Sequence, residues 1–245
     1  MPQAKIHIGT SGWSYPTWKQ IFYPPEVKAS EQLRFYSQNF DTVEINSTFY
    51  RLPSEKTIEN WALQVPKNFI FSIKGSRFIT HTKRLKEDKL TTTRLFEKIK
   101  PLGHQLGPIL FQLPSNFKKD FTRLEIFLNH LTKDFHYTFE FRHSSWFDDE
   151  IYALLKDHHI ALCVTDLNGV LSPEEITSDF TYIRLHGPKW AYQGSYGPKR
   201  LQEWTKKIMT WSQKHIEVYC YFDNTDIEGH AIQDAKMLKS MVNQA

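Results

Sequence analysis

The segment Phe-Thr-Tyr-Ile-Arg-Leu-His-Gly, residues 180–187, alternates apolar and polar side chains. Ile183 and Leu185 share one parity, whereas Arg184 and His186 share the other. A period of two predicts a β-strand, because successive side chains of a strand point to opposite faces. The central strands of an open parallel sheet would instead read as nearly continuous apolar runs. The segment therefore predicts a strand with an apolar face toward helices and a polar face toward a shared, wetter interior.

The same strand pattern recurs along the chain, and a helical stretch follows most of its occurrences. The eight predicted strands are Ile6–Ser11, Thr42–Phe49, Phe69–Ser76, Leu106–Pro114, Tyr137–His143, Ala161–Asp166, Phe180–Gly187 and Glu217–Thr225. Strand–helix alternation implies parallel strands joined by helical crossovers. Eight such strands in 245 residues match the size of a (β/α)8 barrel. We therefore predict one α/β domain, residues 1–245, folded as a (β/α)8 TIM-type barrel.

The predicted helices have apolar residues at intervals of three and four. Ser54 is a favourable N-cap for the helix that contains Ile58 and Val65. The other predicted helices lie within residues 33–40, 121–131, 151–155, 201–211 and 231–242. The crossover between the sixth and seventh strands, Leu167–Asp179, is short and contains Pro173 and scattered polar residues. We expect this sixth crossover to be degenerate and to lack a helix.

The composition is that of a globular protein. Hydrophobic residues make up 40% of the chain and charged residues 24%, and 31 Lys and Arg against 27 Asp and Glu give a net charge of +4. No apolar run approaches the roughly 20 residues that cross a bilayer, and the N-terminus lacks the apolar region of a secretory signal. We therefore expect a cytoplasmic protein with no membrane partner, and the oligomeric state is left open. Cys163 and Cys220 are too few for a disulfide framework.

Polar side chains concentrate at the C-terminal ends of the predicted strands, where TIM barrels carry their active sites. Four of these residues are candidates for catalysis: Glu44, Lys74, Glu140 and His186. Further residues at the strand ends and in the following loops are candidates for substrate binding: Trp13, Asn46, Tyr50, Arg77, His81, Gln112, Arg142, Asp166, Arg184, Trp190, Tyr192 and Asn224. The alternative is a set of internal ion pairs, because buried charges need partners.

Arg184 distinguishes these alternatives, because a guanidinium cannot lose its charge on burial and must find an anion. If Glu44 or Glu140 satisfies the guanidinium, Arg184 is a structural residue. We expect instead that Arg184 binds the anionic group of a substrate. Arg142 lies two residues from Glu140, just as Arg184 lies two residues from His186, so the same question applies to it.

The loops that follow the strands are rich in aromatic residues. Four of these residues lie beyond strand ends rather than at the spacing of a helical core: Trp13, Trp18, Trp190 and Tyr192. We expect these side chains to close over a ligand. The alternative is that one loop packs against another, because large aromatic residues are commonly buried.

One stretch of the chain is strongly basic. Between residues 67 and 100, ten Lys and Arg stand against three Asp and Glu. Lys74, Arg77 and His81 belong to this stretch, and they are suited to holding an anion near the mouth of the barrel. The alternative is an ordinary solvated helix face in a basic protein.

Seven motifs spread along the chain carry a family resemblance. They are Ile-Gly-Thr-Ser-Gly-Trp-Ser-Tyr-Pro-Thr-Trp (8–18), Val-Glu-Ile-Asn-Ser-Thr-Phe-Tyr-Arg-Leu-Pro (43–53), Phe-Ser-Ile-Lys-Gly-Ser-Arg-Phe-Ile-Thr-His (71–81), Leu-Phe-Gln-Leu-Pro (110–114), Phe-Glu-Phe-Arg-His-Ser-Ser-Trp (139–146), Tyr-Ile-Arg-Leu-His-Gly (182–187) and Tyr-Phe-Asp-Asn-Thr (221–225). Through them the chain resembles the YecE-like family, known as domain of unknown function 72, along nearly its whole length. The resemblance implies a TIM-type barrel and a site, but no particular reaction. The last motif reads Phe-Asp-Asn where the family more commonly has Phe-Asn-Asn.

Acidic residues and a histidine at neighbouring strand ends raise the question of a metal. The four that could ligate zinc or manganese, as in barrels that resemble endonuclease IV or xylose isomerase, are Glu140, Asp166, His186 and Asp223. Lys74, Arg142 and Arg184 share the same polar parity and would repel a divalent ion. We therefore predict no cofactor, and a divalent metal is an alternative that these cations disfavour. The chain also lacks the Gly-x-Ser-x-Gly, Gly-x-Gly-x-x-Gly and Walker motifs.

The function that these residues favour is acid–base chemistry on an anionic, for example phosphorylated, small molecule at the C-terminal face of the barrel. Glu140 would act as acid or base, Lys74 as base or Schiff-base nucleophile, and His186 would bind the oxyanion together with the arginines. One alternative is a nucleic-acid-binding, endonuclease IV-like barrel, whose basic loops hold phosphates and whose aromatic residues stack on bases. Another alternative is a non-catalytic binder of a small ligand.

Overall fold

The strands of the computed structural model follow the predicted sequence of elements. They are β1 (Ile6–Thr10), β2 (Thr42–Ile45), β3 (Ile70–Lys74), β4 (Leu106–Gln112), β5 (Tyr137–Glu140), β6 (Ala161–Leu167), β7 (Val170–Leu171), β8 (Phe180–Gly187) and β9 (Glu217–Phe222). The structure describes residues 3–86, 89–225 and 228–245. Within these ranges, each of the eight predicted strands has an observed counterpart, and β7 is an additional two-residue strand.

The strands pair in the order β1-β9-β8-β6-β5-β4-β3-β2, and β7 pairs antiparallel with β6. The pairs β1–β9, β8–β9, β3–β4, β4–β5 and β5–β6 are parallel. A parallel bridge between Ser11 and Glu44 links the ends of this order, because Ser11 directly follows β1 and Glu44 belongs to β2. Parallel strands in this order, alternating with helices, form a (β/α)8 TIM-type barrel, which confirms the predicted fold class.

The helices occupy most of the crossovers between the strands. They are α1 (Gln32–Ser37), α2 (Ser47–Tyr50), α3 (Glu55–Gln64), α4 (Lys89–Ile99), α5 (Phe121–His130), α6 (Asp149–Asp157), α7 (Gly197–Gln213) and α8 (His230–Asn243). Ser54 Oγ accepts a hydrogen bond from Thr57 N at 3.2 Å, so it caps α3 as predicted. Asp148 Oδ1 caps α6 in the same way, at 3.1 Å from Ile151 N. In the described part of the chain, no helix is long and apolar enough to cross a membrane.

The crossover from β6 to β8 has no helix among its residues, all of which are described, and this confirms the predicted degenerate sixth crossover. Asn168 and Gly169 have φ values of 57° and 73°, the left-handed conformation of a tight hairpin turn between β6 and β7. Thr165 N donates to Ser172 Oγ at 2.8 Å, and Ser172 N donates to Thr165 O at 2.9 Å. A short hairpin therefore replaces the helix.

The predicted C-terminal end of the second strand is wrong. The strand ends at Ile45, and the following residues form α2 instead of continuing to Phe49. Thr48 Oγ1 lies 2.9 Å from Ile45 O and 2.7 Å from Lys74 O, with the hydroxyl as donor. Such side-chain hydrogen bonds offer the backbone an alternative to strand pairing.

Helix α4 is absent from the sequence prediction. Its buried face consists of Thr92, Leu95 and Ile99, at spacings of three and four residues. A threonine holds the first of these positions, and its hydroxyl is satisfied by donating to Lys89 O at 3.0 Å. Only two apolar residues therefore mark the buried face, which is too few to predict a helix.

The contacts within the chain divide it into two compact units. The terminal unit comprises Met1–Glu44, Val164–Glu174 and Asp179–Ala245, and the central unit comprises Ile45–Cys163 and Glu175–Ser178. Apolar side chains fill the interior of each unit. In the terminal unit they include Ile8, Val43, Ile183 and Leu238, and in the central unit Ile73, Ile109, Phe111 and Phe139. The candidate residues are described below for each unit separately.

Candidate functional site

The terminal unit contains a buried group of charged and polar side chains around Arg184. This Arg184 cluster consists of Ser11, Glu44, Tyr182, Arg184, His186 and Asp223. Strand β8 supplies Arg184. The side chains of Arg184 and Glu44 are both fully buried. Arg184 Nε donates to Glu44 Oε2 at 2.9 Å, and Nη2 donates to Oε1 at 2.8 Å. This is the bidentate geometry of a strong guanidinium–carboxylate pair.

Glu44 accepts two further hydrogen bonds inside the cluster. Ser11 Oγ donates to Oε1 at 2.5 Å, and the Tyr182 hydroxyl donates to Oε2 at 2.7 Å. A carboxylate offers about four lone-pair positions, so the four donors saturate Glu44. In this geometry Glu44 acts as the anionic partner of Arg184, and its predicted catalytic role stays a prediction.

The phenol of Tyr182 is held in its donor form. Burial raises the pKa of Tyr182 well above its ordinary value, and the negative charge of Glu44 raises it further. The hydroxyl therefore keeps its proton over the accessible pH range and donates it to the carboxylate. The sequence does not reveal this role of Tyr182. Its side chain shares the parity of Arg184 along the strand, but no motif of polar residues marks it.

Asp223 and His186 complete the Arg184 cluster. Arg184 Nη2 donates to Asp223 Oδ2 at 2.9 Å, and His186 Nδ1 lies 3.0 Å from the same oxygen. His186 Nε2 faces Arg184 Nη1 at 3.4 Å. An arginine can only donate, so Nε2 presents its lone pair to Arg184 Nη1. His186 is thus oriented by charges on both sides.

These contacts correct the expectation that Arg184 lacks an anion within the protein. Glu44 and Asp223 both accept hydrogen bonds from the guanidinium, which is fully buried. Glu44 lies 140 residues from Arg184 in the sequence, and Asp223 lies 39 residues from it. Because both partners are distant, the sequence pattern does not show which carboxylate pairs with Arg184. A further contact between Arg184 and a ligand stays a prediction.

Asp166 lies near the end of β6, and its surroundings differ from those of Glu44 and Asp223. Its side chain is buried, and among the described residues its Oδ1 has no hydrogen-bond partner. Burial raises the pKa of Asp166, although the charges of Arg200, His186 and Lys207 oppose this rise. A buried carboxyl oxygen without a partner is uncommon in native proteins.

The loop after β8 carries two exposed aromatic candidates. Trp190 is 72% exposed and Tyr192 is 46% exposed, and the Tyr192 ring meets the His186 ring edge to face at 5.5 Å. Gly187 begins the loop with a φ of +130°, and a Cβ at this position would lie 2.3 Å from Trp190 O. Only glycine therefore fits here.

The prediction for Trp18 is wrong. This side chain is fully buried, and its ring packs against Tyr15 at 4.6 Å and Phe22 at 6.2 Å between centroids. It belongs to the core beneath the first loop, where it cannot close over a ligand. Trp13 of the same loop is partly exposed, and its predicted role stays a prediction.

Asp234 holds the end of the β8 loop, and the sequence reading misses it. Its carboxylate accepts hydrogen bonds from Ser195 Oγ at 2.8 Å, Tyr196 N at 2.9 Å and Asn224 Nδ2 at 2.9 Å. Asn224 Nδ2 also donates to Gly194 O at 2.9 Å. The sequence signal that could have identified Asp234 is its position as a single acidic residue on the otherwise apolar buried face of α8.

The central unit contains a second group of candidates, arranged around the Phe49 ring. This His81 cluster consists of Phe49, Lys74, Arg77, His81 and Arg142. Lys74 Nζ lies 4.6 Å from the centroid of the Phe49 ring, a cation–π contact. The His81 ring meets the same Phe49 ring at 5.0 Å, at an angle of 83°. Helix α2 thus brings one aromatic ring against side chains from β3 and the following turn.

Positive charge dominates the surroundings of His81. Burial lowers the pKa of His81. Four cationic side chains lower it further, in the order Lys74, Arg77, Arg142 and Arg84. A cation disfavours the protonated form of a neighbouring imidazole, so these side chains favour the neutral form of His81.

Glu140 lies at the end of β5 and is fully buried. Arg142 Nε donates to Glu140 Oε1, and the Arg142 side chain is only 11% exposed. Gln112 pairs with Glu140 across the β4–β5 register, so its half-buried amide lies at the same strand ends. The central unit therefore joins a buried carboxylate to a guanidinium of the His81 cluster.

Asn46 and Tyr50 flank helix α2. Among the described atoms, the buried Asn46 Oδ1 has no hydrogen-bond partner. Tyr50 is 80% exposed, and its ring lies 5.1 Å from that of Phe49. An exposed ring beside a cationic cluster is available for stacking on a ligand.

The described residues do not supply a set of side chains that could ligate a metal ion. Across residues 3–86, 89–225 and 228–245, no three His, Cys, Asp or Glu side chains are grouped so that they could hold one. His186 and Asp223 are neighbours, but a guanidinium shares their Asp223 oxygen. This geometry supports an ion-pair network rather than a ligand set.

Parallel strands in barrel order, with polar side chains at the strand ends, define the protein as a TIM-barrel protein. The family model described as a protein of unknown function, DUF72, matches residues 7–245, so the chain belongs to this family and the predicted resemblance is confirmed. It is 24% identical to the UPF0759 protein YunF of Bacillus subtilis strain 168, over 97% of this chain and 95% of that protein. It is 30% identical to the UPF0759 protein YecE of Escherichia coli K12, over 58% of this chain and half of that protein. A DUF72 family protein from Thermotoga maritima has the same fold, with 28% identity and a TM-score of 0.87 over 98% of this chain and 99% of that one.

Proposed function

We propose that this protein binds an anionic small molecule, a phosphorylated compound among the candidates, and carries out acid–base chemistry on it. The His81 cluster of the central unit is the observation that supports this proposal. Lys74 and His81 contact the same Phe49 ring, and cations are the strongest charges that act on His81. An anion that enters a site lined by several cationic side chains is attracted by their charge.

The cluster also has the donors that recognise an oxyanion. Arg77 and Arg142 can each offer two parallel N–H groups to a phosphate or carboxylate, whereas Lys74 acts as a compact point charge. A neutral His81 can donate one further hydrogen bond to the ligand without adding charge. Hydrogen bonds between charged groups contribute about 1.5–3 kcal/mol each, so losing one should weaken binding about tenfold or more.

Glu140 is the candidate proton acceptor of the proposed reaction. Its carboxylate is buried and contacts Arg142, which also belongs to the His81 cluster. A guanidinium favours the ionised form of a neighbouring carboxyl group, and the ionised form is the one that accepts a proton. Glu140 would therefore serve as the base, while the cations of the His81 cluster hold the anionic part of the substrate.

Calorimetric titration with inorganic phosphate tests the binding step. The Lys74→Met variant should weaken phosphate binding about tenfold or more. Lys133→Met is the matched control, because Lys133 is an exposed lysine of the same unit and its loss removes the same charge. Equal phosphate affinity in the wild type and the Lys74→Met variant would contradict the proposal. Equal weakening by both variants would show general electrostatic attraction rather than a site.

A second candidate function is the binding of single-stranded nucleic acid, which the exposure of Tyr50 favours. Aromatic side chains stack on bases, and neighbouring cations hold the phosphates. In this case Tyr50→Ala should weaken binding of a single-stranded oligonucleotide by a larger factor than binding of phosphate. The oligonucleotide affinity should also fall steeply with salt concentration. Saturable phosphate binding that Tyr50→Ala leaves unchanged would favour the small-molecule ligand.

A further inference from the structure

The central unit has a cavity at the N-terminal ends of β4 and β5. Leu106, the first residue of β4, lines it together with Phe135, which lies two residues before β5. The cavity measures about 500 Å³, within the roughly 300–1,000 Å³ of sites that bind small molecules. Lys74 and Glu140 lie at the C-terminal ends of their strands and do not line it. The cavity is therefore separate from the residues that carry the proposed function.

Helix α4 and the helical turn that follows it form one side of the cavity. They contribute Phe96, Glu97 and Lys100. Lys100 follows Phe96 by four residues and Glu97 by three, so the three side chains share one face of the helical backbone. The ring of Phe96 contacts that of Phe135 at 5.1 Å between centroids, and both side chains are half-buried. These two rings give the cavity an apolar wall against which an aromatic group can pack.

The side of the cavity before β5 is held in place by contacts within the unit. The Tyr137 hydroxyl donates to Thr132 O at 2.9 Å, and the Tyr137 ring lies 5.9 Å from that of Phe96. Thr132 Oγ1 donates to Asp134 Oδ2 at 2.7 Å, and Asp134 is another lining residue. These contacts orient a carboxylate beside the rings without a ligand. A site that is ordered in advance loses less conformational entropy when it binds.

Three charged side chains line the cavity, and all three residues are exposed: Glu97, Lys100 and Asp134. Lys98, which lies between the first two in the sequence, pairs with Glu55 at 3.1 Å. Within the described ranges, by contrast, neither Glu97 nor Lys100 forms an ion pair. An ammonium group has three donors and needs several acceptors, which two carboxylates supply. The lysine supplies the complementary charge for a carboxylate.

We propose that this cavity binds an α-amino acid with an aromatic side chain. Its ammonium group contacts Glu97 and Asp134, its carboxylate contacts Lys100, and its ring packs on Phe96 and Phe135. Charge complementarity selects this class, because an aromatic acid would leave the two carboxylates unmatched and an aromatic amine would leave the lysine unmatched. The inference does not depend on the proposed function, since the two involve different residues.

Calorimetric titration of the full chain with L-phenylalanine tests the proposal. Glu97→Gln removes one charge at an exposed position and should weaken binding about threefold or more. Glu59→Gln is the matched control and should leave the affinity unchanged, because Glu59 is an exposed glutamate of α3 in the same unit and does not line the cavity. Absence of saturable binding, or equal affinity of the wild type and Glu97→Gln, would overturn the proposal. Equal weakening by both variants would show general electrostatic attraction and would also overturn it.

Three further measurements separate the parts of the ligand and exclude another occupant. Lys100→Met should weaken binding of L-phenylalanine about threefold or more, but not binding of phenethylamine, which lacks the carboxylate. Glycine, which lacks the ring, should bind about tenfold or more weakly than L-phenylalanine. Equal affinity for glycine and L-phenylalanine would overturn the proposal. A dimer in sedimentation velocity that Phe135→Ser dissociates would assign the cavity to a second copy of the chain and overturn it as well.

Discussion

Arg184 and Lys74 are both cations on barrel strands, yet their surroundings differ. In the terminal unit, Glu44 and Asp223 accept hydrogen bonds from a guanidinium that water does not reach. In the central unit, Lys74 lies on an aromatic ring beside His81, and the strongest charges acting on His81 are cations. The Arg184 cluster is thus neutralised by the protein itself, whereas the proposed function assigns the cations of the His81 cluster to an anionic ligand. Under this proposal, similar residue types at strand ends support structure in one unit and binding in the other.

The largest expected effect is on the Arg184 cluster. Arg184→Ala should lower the free energy of unfolding by about 3–5 kcal/mol, because it leaves the buried Glu44 carboxylate without its cation. Denaturant unfolding measures the loss. Arg123→Ala is the control, because its partly exposed pair with Asp120 should contribute at most about 1 kcal/mol. Equal, small losses in both variants would contradict a structural role for the Arg184–Glu44 pair.

A smaller effect is expected for Tyr182→Phe. The variant keeps the ring and removes one of the four donors to Glu44, at a cost of about 1–3 kcal/mol. Denaturant unfolding of Tyr182→Phe, Arg184→Ala and the double variant would measure the coupling free energy between the two donors. If their effects add independently, Tyr182 and Arg184 do not act on one carboxylate.

The contribution of His7 to the stability of the folded state depends on pH. His7 Nε2 lies 3.1 Å from Glu217 Oε1, and Nδ1 lies 3.6 Å from Asp41 Oδ2. Burial lowers the pKa of His7, but the two carboxylates outweigh burial and raise it above its ordinary value of 6.5. The resulting stability is fully present below pH 6.5 and is lost as pH rises through the folded-state pKa.

The difference in unfolding free energy between the wild type and His7→Gln should therefore shrink from pH 6 upward. Urea unfolding at several pH values measures this difference. His104→Gln serves as the control because His104 is exposed. A difference that stays constant across this range would show that His7 is not charged by its two carboxylates.

The barrel could be predicted from the sequence because its signals are local. The alternation of Ile183 and Leu185 with Arg184 and His186 needs no knowledge of distant residues. Where the prediction is wrong, a local hydrogen bond intervenes, as for Thr48 at the end of β2. The missing helix in the sixth crossover was also visible locally, in Pro173 and the polar residues around it.

The candidate site could be predicted only in part, because its contacts join distant segments. The sequence places Glu44, Glu140 and Arg184 at strand ends, but it does not say which carboxylate pairs with which cation. Asp234 is missed altogether, since two of its partners, Ser195 and Tyr196, lie in a loop that precedes α8 by more than thirty residues. Asp166 and Asp223 are almost equally buried, and no sequence pattern reports that their hydrogen-bond partners differ.

The most direct test of the comparison is the titration of His81, followed by proton NMR of its imidazole ring and assigned with His81→Gln. The cations of the His81 cluster lower the pKa of His81, with Lys74 the foremost of them. Both Lys74→Met and saturating inorganic phosphate should therefore raise the pKa of His81 toward its ordinary value of 6.5. An unchanged His81 pKa in saturating phosphate would contradict the claim that this cluster holds its positive charge for an anion.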